Sequence, residues 1–421
     1  MKSHLLLFLA FVGILTQMSC LNDSCTNERT FVQYNPVFLS RAEFEKPNVL
    51  SDLRPLKNPG KMYFYQNFLF INEKGLGVHV FDLSDYTNPI NIAFYDIPGN
   101  FDIAIKDHYL YADNVIDLIT IDIVDLANPK IINRNKDYLK LHQNTSDQRY
   151  YAYSLRTNIT QILSCDNPNI DRTWFILDGV EFLNSDISAG VVNTNQSSTF
   201  SGTGISGSFA RFTVVENNLY VVNNSSIIDF DLTLPATPEL KYEKPLGWGI
   251  ETLFPYKDKL FIGSTSGMFI FNRASDGYLS LASNFSHARA CDPVVVQDDI
   301  AYITLRNGTK CQGFSNQLEV VDVNNVFKPI LLNTFKMRHP HGLSVYGDHL
   351  YVAEGNFGFT VLNVATSKDI KEVARVTNLH AYDMISLDEK TLFVVGDDGF
   401  YLYDVQKSSA PRLVSSIKTE I

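Results

Sequence analysis

No basic stripe runs through this sequence of 421 residues: 35 Lys and Arg stand against 46 Asp and Glu, and the net charge of -11 is spread along the chain. That argues against nucleic acid as a partner and against docking on anionic lipid by charge alone. Beyond the N-terminus no stretch approaches the ~18 consecutive apolar residues of a membrane-spanning helix. No G-x-S-x-G elbow, H-E-x-x-H helix or Walker loop occurs, so the chain carries no strong catalytic signature. The glycines of Ser201-Gly202-Thr203-Gly204 have no following Lys and read as linker. None of the five cysteines sits in a C-x-x-C pair, which argues against a zinc knuckle. No helical period of any length competes with the strand pattern described below.

The first residues have the form of an export signal. Lys2 supplies a positive start and Leu5 to Leu15 form an almost unbroken apolar run, too short for a comfortable span. The run ends at Gln17-Met18-Ser19-Cys20, which resembles a bacterial lipobox, with a small residue before the cysteine that would carry lipid. Gln17 departs from the usual Leu, and ordinary signal cleavage is the alternative. Residues 1–20 are thus expected to be a signal peptide with a lipobox. Lipidation of Cys20 would then tether an exported protein to the outer membrane or cell surface. Cys25, Cys165, Cys291 and Cys311 remain, an even number suited to disulfides in an oxidising compartment. Cys291 and Cys311 are the expected pair, which leaves Cys25 and Cys165.

One unit recurs along the chain: an alternating strand, a short apolar strand, a third strand ending in Asp or Asn, a turn that often holds Pro, and a fourth strand. The third strands end at Asp82, Asp122, Asp231, Asn272, Asp322, Asn363 and Asp404, and successive differences are 40, 109, 41, 50, 41 and 41. The 109 is one period plus a long insertion, and the 50 is one period plus a loop. Four-stranded propeller blades repeat at about 40–45 residues. Val, Ile, Tyr and Phe alternate with polar residues, as half-buried strands require. The Asp or Asn can accept a backbone N–H two residues on and close the turn. The expected fold is all-β, a β-propeller of about seven four-stranded antiparallel blades over residues 60–421, with residues 138–208 inserted and residues 21–59 as tether and lead-in. A β-sandwich is the runner-up, but sandwiches do not repeat their sequence at this period.

Gly75-Leu76-Gly77-Val78-His79-Val80-Phe81-Asp82-Leu83-Ser84-Asp85 followed by Asn88-Pro89 resembles the LVIVD repeat, and the pattern recurs at Leu118 to Pro129 and Leu318 to Pro329. The stretch from Arg54 to Lys61 is similar to that of Bacteroidetes surface members of the family. The resemblance implies a propeller on an exported lipoprotein. It implies no reaction, because propellers host enzymes and binding modules alike.

Comparison between blades gives the candidate site. Counting nine residues back from Leu69, Leu110, Leu219, Leu260, Ala301, Leu350 and Leu392 reaches Gly60, Phe101, Ala210, Glu251, Asp292, His341 and Asp383. In blades two and three the next residue is the charged one, Asp102 and Arg211. These positions open the innermost strands at the channel mouth. Glu251, Asp292, His341 and Asp383 are therefore candidate ligands for a divalent cation such as calcium, or an acid–base pair of a hydrolase or lyase. His339, His380, Arg289 and Arg338 lie close by in sequence. The plain alternative is a solvated polar channel mouth. His79 and His108 are expected to be structural. The same face collects the 138–208 insertion, whose Tyr150, Tyr151, Tyr153, Trp174 and Phe175 would form either a binding surface or the insertion's own small core. The favoured function is non-enzymatic recognition of a protein or glycan through that face. The sequence names no ligand and no oligomeric state.

Overall fold

A computed structural model describes residues 26–139, 147–164, 205–208, 210–223, 225–247, 249–264, 267–286, 293–306 and 316–420. Side chains are described from residue 35 onward, apart from those of 156–164, 206 and 251. The chain divides into two compact units, Met1–Pro36 with Ser154–Leu183 and Val37–Tyr153 with Asn184–Ile421. Among the described residues the first is represented by extended backbone, part of a two-stranded pairing of Thr26–Leu39 with Tyr150–Ser164. The second is a seven-bladed β-propeller.

Each blade is a sheet of four consecutive antiparallel strands. Blade 1 consists of Pro59–Tyr65, Phe68–Glu73, Gly77–Asp82 and Ile90–Asp96. The innermost strands of blades 2 to 7 are Ile103–Lys106, Phe212–Val215, Ile250–Tyr256, Val294–Gln297, Leu343–Tyr346 and Asp383–Ser386. The last blade ends with its outer strand Arg412–Lys418. Strands one to three of each blade are buried between neighbours, and the fourth alternates between exposed and half-buried positions, as in Glu239–Pro245. This burial pattern follows from apolar side chains on both faces of the inner strands and on one face of the outer strand.

The Asp or Asn ending the third strand does what its chemistry allows. Asp82, Asp122, Asp231, Asp322, Asn363 and Asp404 each accept the backbone N–H two residues on, at 2.7–3.2 Å. In six blades the turn between strands one and two has two residues, the first with positive φ: Gln66, Asp107, Glu216, Lys257, Asp298 and Gly347. Such turns match the right-handed twist of the flanking strands.

The ring closes without exchange of a strand. Phe393 of blade 7 meets Phe64 and Tyr86 of blade 1 with ring centroids 5.4 and 6.2 Å apart. Ser415 Oγ donates to the Tyr86 carbonyl at 2.6 Å, and the Glu420 amide donates to the Leu56 carbonyl at 2.9 Å. Two short strands extend blade 1. Leu50–Ser51 pairs with the outer strand, and Ile205–Ser206 pairs with the innermost strand on its channel side. The linker reading of Ser201 to Gly204 does not carry on into the residues that follow. Ile205–Ser206 takes a strand's hydrogen bonds, and the buried Ser208 Oγ accepts the Leu343 amide of blade 6 at 3.2 Å.

Candidate functional site at the channel mouth

The strand registers decide which side chains share a layer of the channel. The reference residue of the second strand pairs with a residue five positions earlier in blades 1 to 6: Leu69 with Phe64, Leu110 with Ile105, Leu219 with Val214, Leu260 with Pro255, Ala301 with Val296 and Leu350 with Val345. In blade 7 Leu392 pairs with Ser386, six positions earlier, because the intervening turn is one residue longer. Counting nine residues back therefore stops one short of the equivalent position, Tyr382, in that blade. Three residues before the paired position stand Lys61, Asp102, Arg211, Thr252, Pro293, Gly342 and Asp383. The position before it holds Gly60, Phe101, Ala210, Glu251, His341 and Tyr382 in blades 1 to 4, 6 and 7. Asp383 and His341, expected in one ring, belong to different layers.

The Asp383 layer carries alternating charge over four consecutive blades: Asp383 in blade 7, Lys61 in blade 1, Asp102 in blade 2 and Arg211 in blade 3. Lys61 Nζ donates to Asp102 Oδ2 at 2.6 Å, with both side chains almost fully buried. The same carboxylate accepts the amides of Arg211 at 2.5 Å and Phe212 at 3.0 Å, while Asp102 Oδ1 accepts the Ile103 amide at 2.8 Å. Burial lowers the Lys61 pKa and Asp102 opposes that shift. Asp102 thus ties blades 1, 2 and 3 together. Asp383 is fully buried, and its carboxyl oxygens have no hydrogen-bond partner among the described residues. Burial drives its pKa well above the carboxylate range, against the pull of the Met384 amide and the Lys61 charge. Lys61 went unnoticed in the sequence because the count stopped at Gly60. Its position matches that of Asp102 and Arg211, which was the available signal.

The His341 layer is a cluster of rings. His341 Nε2 lies 3.1 Å from His339 Nδ1 and 3.0 Å from Arg306 Nη1, and its ring centroid is 5.6 Å from Tyr382 and 6.4 Å from His380. Burial pushes the His341 pKa well down, reinforced by the charges of Arg306, His339 and His380. A neutral imidazole accepting from the guanidinium satisfies both constraints. Gly355 packs against this cluster, and a Cβ there would fall 2.9 Å from His341 Nε2. Among the described residues no three His, Cys, Asp or Glu side chains are grouped to hold a metal ion. Glu251 contributes described backbone only. Asp292, Arg289, Cys20, Cys25, Cys165, Cys291, Cys311, Trp174 and Phe175 lie outside the described residues.

In blades 1, 2 and 6 a carboxylate at the end of the second strand holds the chain that enters the blade. Glu73 accepts the amides of Lys57 and Asn58 at 3.0 and 2.6 Å and lies 3.1 Å from His79 Nε2. Asp113 Oδ1 accepts the amides of Phe101 and Asp102, both at 2.9 Å, and burial pushes its pKa up to about 6. Glu354 accepts the Arg338 amide at 2.7 Å, the Thr360 hydroxyl at 2.5 Å and the Arg375 guanidinium. The fully buried His79 is structural in the expected sense. His108 packs on Tyr109 with centroids 4.1 Å apart. Tyr150 and Tyr151 meet Phe44 and Phe38 edge to face at 5.9 and 6.0 Å, so these insertion tyrosines build a small core.

No family model matches the chain, and no curated protein matches it. Solved structures do resemble it. A computationally designed protein, Ika8, has a TM-score of 0.53 at 8% identity, covering 89% of this chain and 92% of its own. A protein of unknown function from Desulfotomaculum acetoxidans has a TM-score of 0.48 at 13% identity over 85% of this chain and 95% of its own. Hsv2 of Kluyveromyces lactis has a TM-score of 0.47 at 11% identity over 84% and 97%. At these identities the likeness concerns the fold alone.

Proposed function

We propose that this protein is an exported, lipid-anchored surface protein of the LVIVD-repeat type. It acts as a non-enzymatic binding or scaffold module, recognising a protein or glycan through the face that carries the 138–208 insertion. The propeller fold is compatible with such a role. The observation that carries the reading is the commitment of four carboxylates around the channel mouth; Asp383, which has no hydrogen-bond partner among the described residues, is the one an acid–base alternative would use. Asp102 is spent on Lys61 and three backbone amides, and Glu73, Asp113 and Glu354 are spent on backbone and side-chain donors. A carboxylate already holding several donors is a poor general base. Loops on a rigid scaffold then remain as the recognition surface.

A glycan-array screen, paired with the same screen on a variant whose 165–200 segment is replaced by a short Gly-Ser linker, tests this. Binding by the full chain that disappears in the variant at unchanged melting temperature supports the reading. Binding retained in full by the variant moves recognition away from the insertion. Anchoring is tested separately: Cys20→Ala should move the protein from the membrane to the soluble fraction, and a variant still in the membrane fraction refutes the lipobox.

A cation at the channel mouth is the second reading, favoured by the 3.1 Å approach of His339 Nδ1 and His341 Nε2. Two imidazole nitrogens would favour zinc over calcium. A thermal shift with zinc that His341→Ala removes would support it, and the same shift in the variant would reject it.

A further inference from the structure

The turns between strands one and two lie on the face opposite the insertion, and neighbouring blades are bridged there by the chain's own side chains. From blade 2 to blade 3, Lys106 Nζ donates to Asn217 Oδ1 at 2.5 Å and to the Glu216 carbonyl at 2.8 Å. From blade 4 to blade 5, Lys257 Nζ meets Asp299 Oδ1 at 2.8 Å and lies 4.9 Å from the centroid of the Tyr256 ring. From blade 5 to blade 6, Gln297 Nε2 donates to the Gly347 carbonyl at 2.8 Å.

Between blades 1 and 2 no such Lys bridge joins the turns among the described residues, and the groove there is larger. The position of Lys257 is held by Gln66, whose side-chain amide turns back to the Tyr65 hydroxyl at 3.2 Å. The groove has a volume of about 610 Å³ and lies between Tyr65, Phe68, Ile92, Asp107, Val124 and Asp125. The corresponding groove between blades 4 and 5, where Lys257 sits, measures about 420 Å³. Among the described residues neither Asp107 nor Asp125 forms an ion pair. Lys106, next to Asp107 in sequence, is committed to blade 3.

We propose that this groove binds a lysine side chain of a partner polypeptide, with its ammonium between Tyr65 and Asp107 and its methylene stem on Phe68 and Ile92. Lys257 is a partial internal template: it places an ammonium beside the Tyr256 ring and the carboxylate of Asp299, the second turn residue of the next blade, whereas in blade 2 the second turn residue is His108 and the carboxylate, Asp107, stands one position earlier. Charge complementarity sets the head group, since the groove lining offers the carboxylates of Asp107 and Asp125, the Tyr65 ring and the imidazole of His108, and among the described residues no Lys or Arg lines it. Apolar contact sets the rest. An exposed ion pair alone is worth little, so a free amine gains too little there. Val124, 72% exposed at the rim, offers apolar surface to the residue beside the lysine in an extended peptide. This inference concerns the face opposite the insertion and stands independently of the recognition proposed there.

The experiment titrates the full chain with acetyl-Leu-Lys-Leu-amide and with the same peptide carrying norleucine in place of lysine. The expected result is at least tenfold tighter binding of the lysine peptide. Gln66→Lys, which places an ammonium in the groove from within, should abolish binding at unchanged melting temperature. Asp107→Asn with Asp125→Asn should bring the two peptides to equal affinity. Equal binding of both peptides by the unmutated chain, or undiminished binding by Gln66→Lys, overturns the proposal. Binding of n-butylamine as tight as that of the lysine peptide overturns the polypeptide partner in favour of a small amine.

Discussion

Lys61 and Asp102 form a buried ion pair at 2.6 Å that joins blade 1 to blade 2 beside the channel. Both charges have left water, so the pair is held by geometry and by the further amides that Asp102 accepts from Arg211 and Phe212. Removing one partner leaves the other charged and buried, a loss of about 3–5 kcal/mol. Lys61→Met should therefore destabilise strongly in urea titrations. Lys61→Met combined with Asp102→Asn should recover part of that loss, because Asn keeps an acceptor for the two amides and carries no charge. A double variant as unstable as Lys61→Met would show that packing, rather than the stranded charge, sets the cost.

Asp229 predicts how stability varies with pH. Burial pushes its pKa up to about 6, although Asn218 Nδ2 donates to both oxygens at 2.9 and 3.1 Å. A raised folded-state pKa means that this group's contribution is fully present below the unfolded value near 4 and is lost as pH rises through about 6. His341 has the opposite sign: its depressed pKa contributes above about 6.5 and is lost as pH falls. Asp229→Asn isolates one contribution. Its melting temperature should come close to that of the unmutated chain at pH 3.5 and exceed it at pH 7.5, by roughly 3 kcal/mol of stability. Equal melting temperatures at both pH values would show that Asp229 titrates normally.

The propeller was legible because six of the seven third strands end in a residue whose side chain closes the following turn locally, as Asp122 does for Val124. Register was less legible. A count of residues assumes equal turns, and the longer blade 7 turn moved Asp383 out of the His341 layer and beside Lys61. The pairing of Ile205–Ser206 with Phe64 and Tyr63 was beyond reach for a different reason. Its local composition of Gly and Ser suits a loop, and only a distant strand edge turns it into a strand.

Two glycines with positive φ separate backbone strain from crowding. Gly77 opens the third strand of blade 1 at φ 145°, and a Cβ there would lie 1.9 Å from the Tyr95 carbonyl oxygen. Gly267, Gly358 and Gly399 stand in the same relation to outer-strand carbonyls in blades 4, 6 and 7. Gly77→Ala must push two paired strands apart and should cost about 3 kcal/mol or more. Gly347 has φ 52° but nothing within 4 Å of a Cβ. Asp107 and Asp298 hold that conformation at the equivalent positions. Gly347→Asp should therefore change stability by less than about 1 kcal/mol, as read from paired chemical melts.

We propose that Cys291 and Cys311 form a disulfide in blade 5. The hairpin base between them is set: the Thr304 amide donates to the Pro293 carbonyl at 3.3 Å, so both connections leave the blade from one point. Cys291 lies two residues before Pro293, and Cys311 lies seven residues after Thr304. A segment of seven residues has ample reach to return across that base. The bridge would close a loop of about 20 residues and contribute roughly 3 kcal/mol, chiefly by restricting the unfolded chain. An unreduced tryptic digest should contain a peptide pair that joins the two cysteines and separates on reduction. Reductant should also lower the melting temperature of the unmutated chain and leave Cys291→Ser with Cys311→Ser unaffected. Quantitative alkylation of both thiols in the unreduced, exported protein would exclude the bridge and leave two free cysteines on the face that carries the insertion.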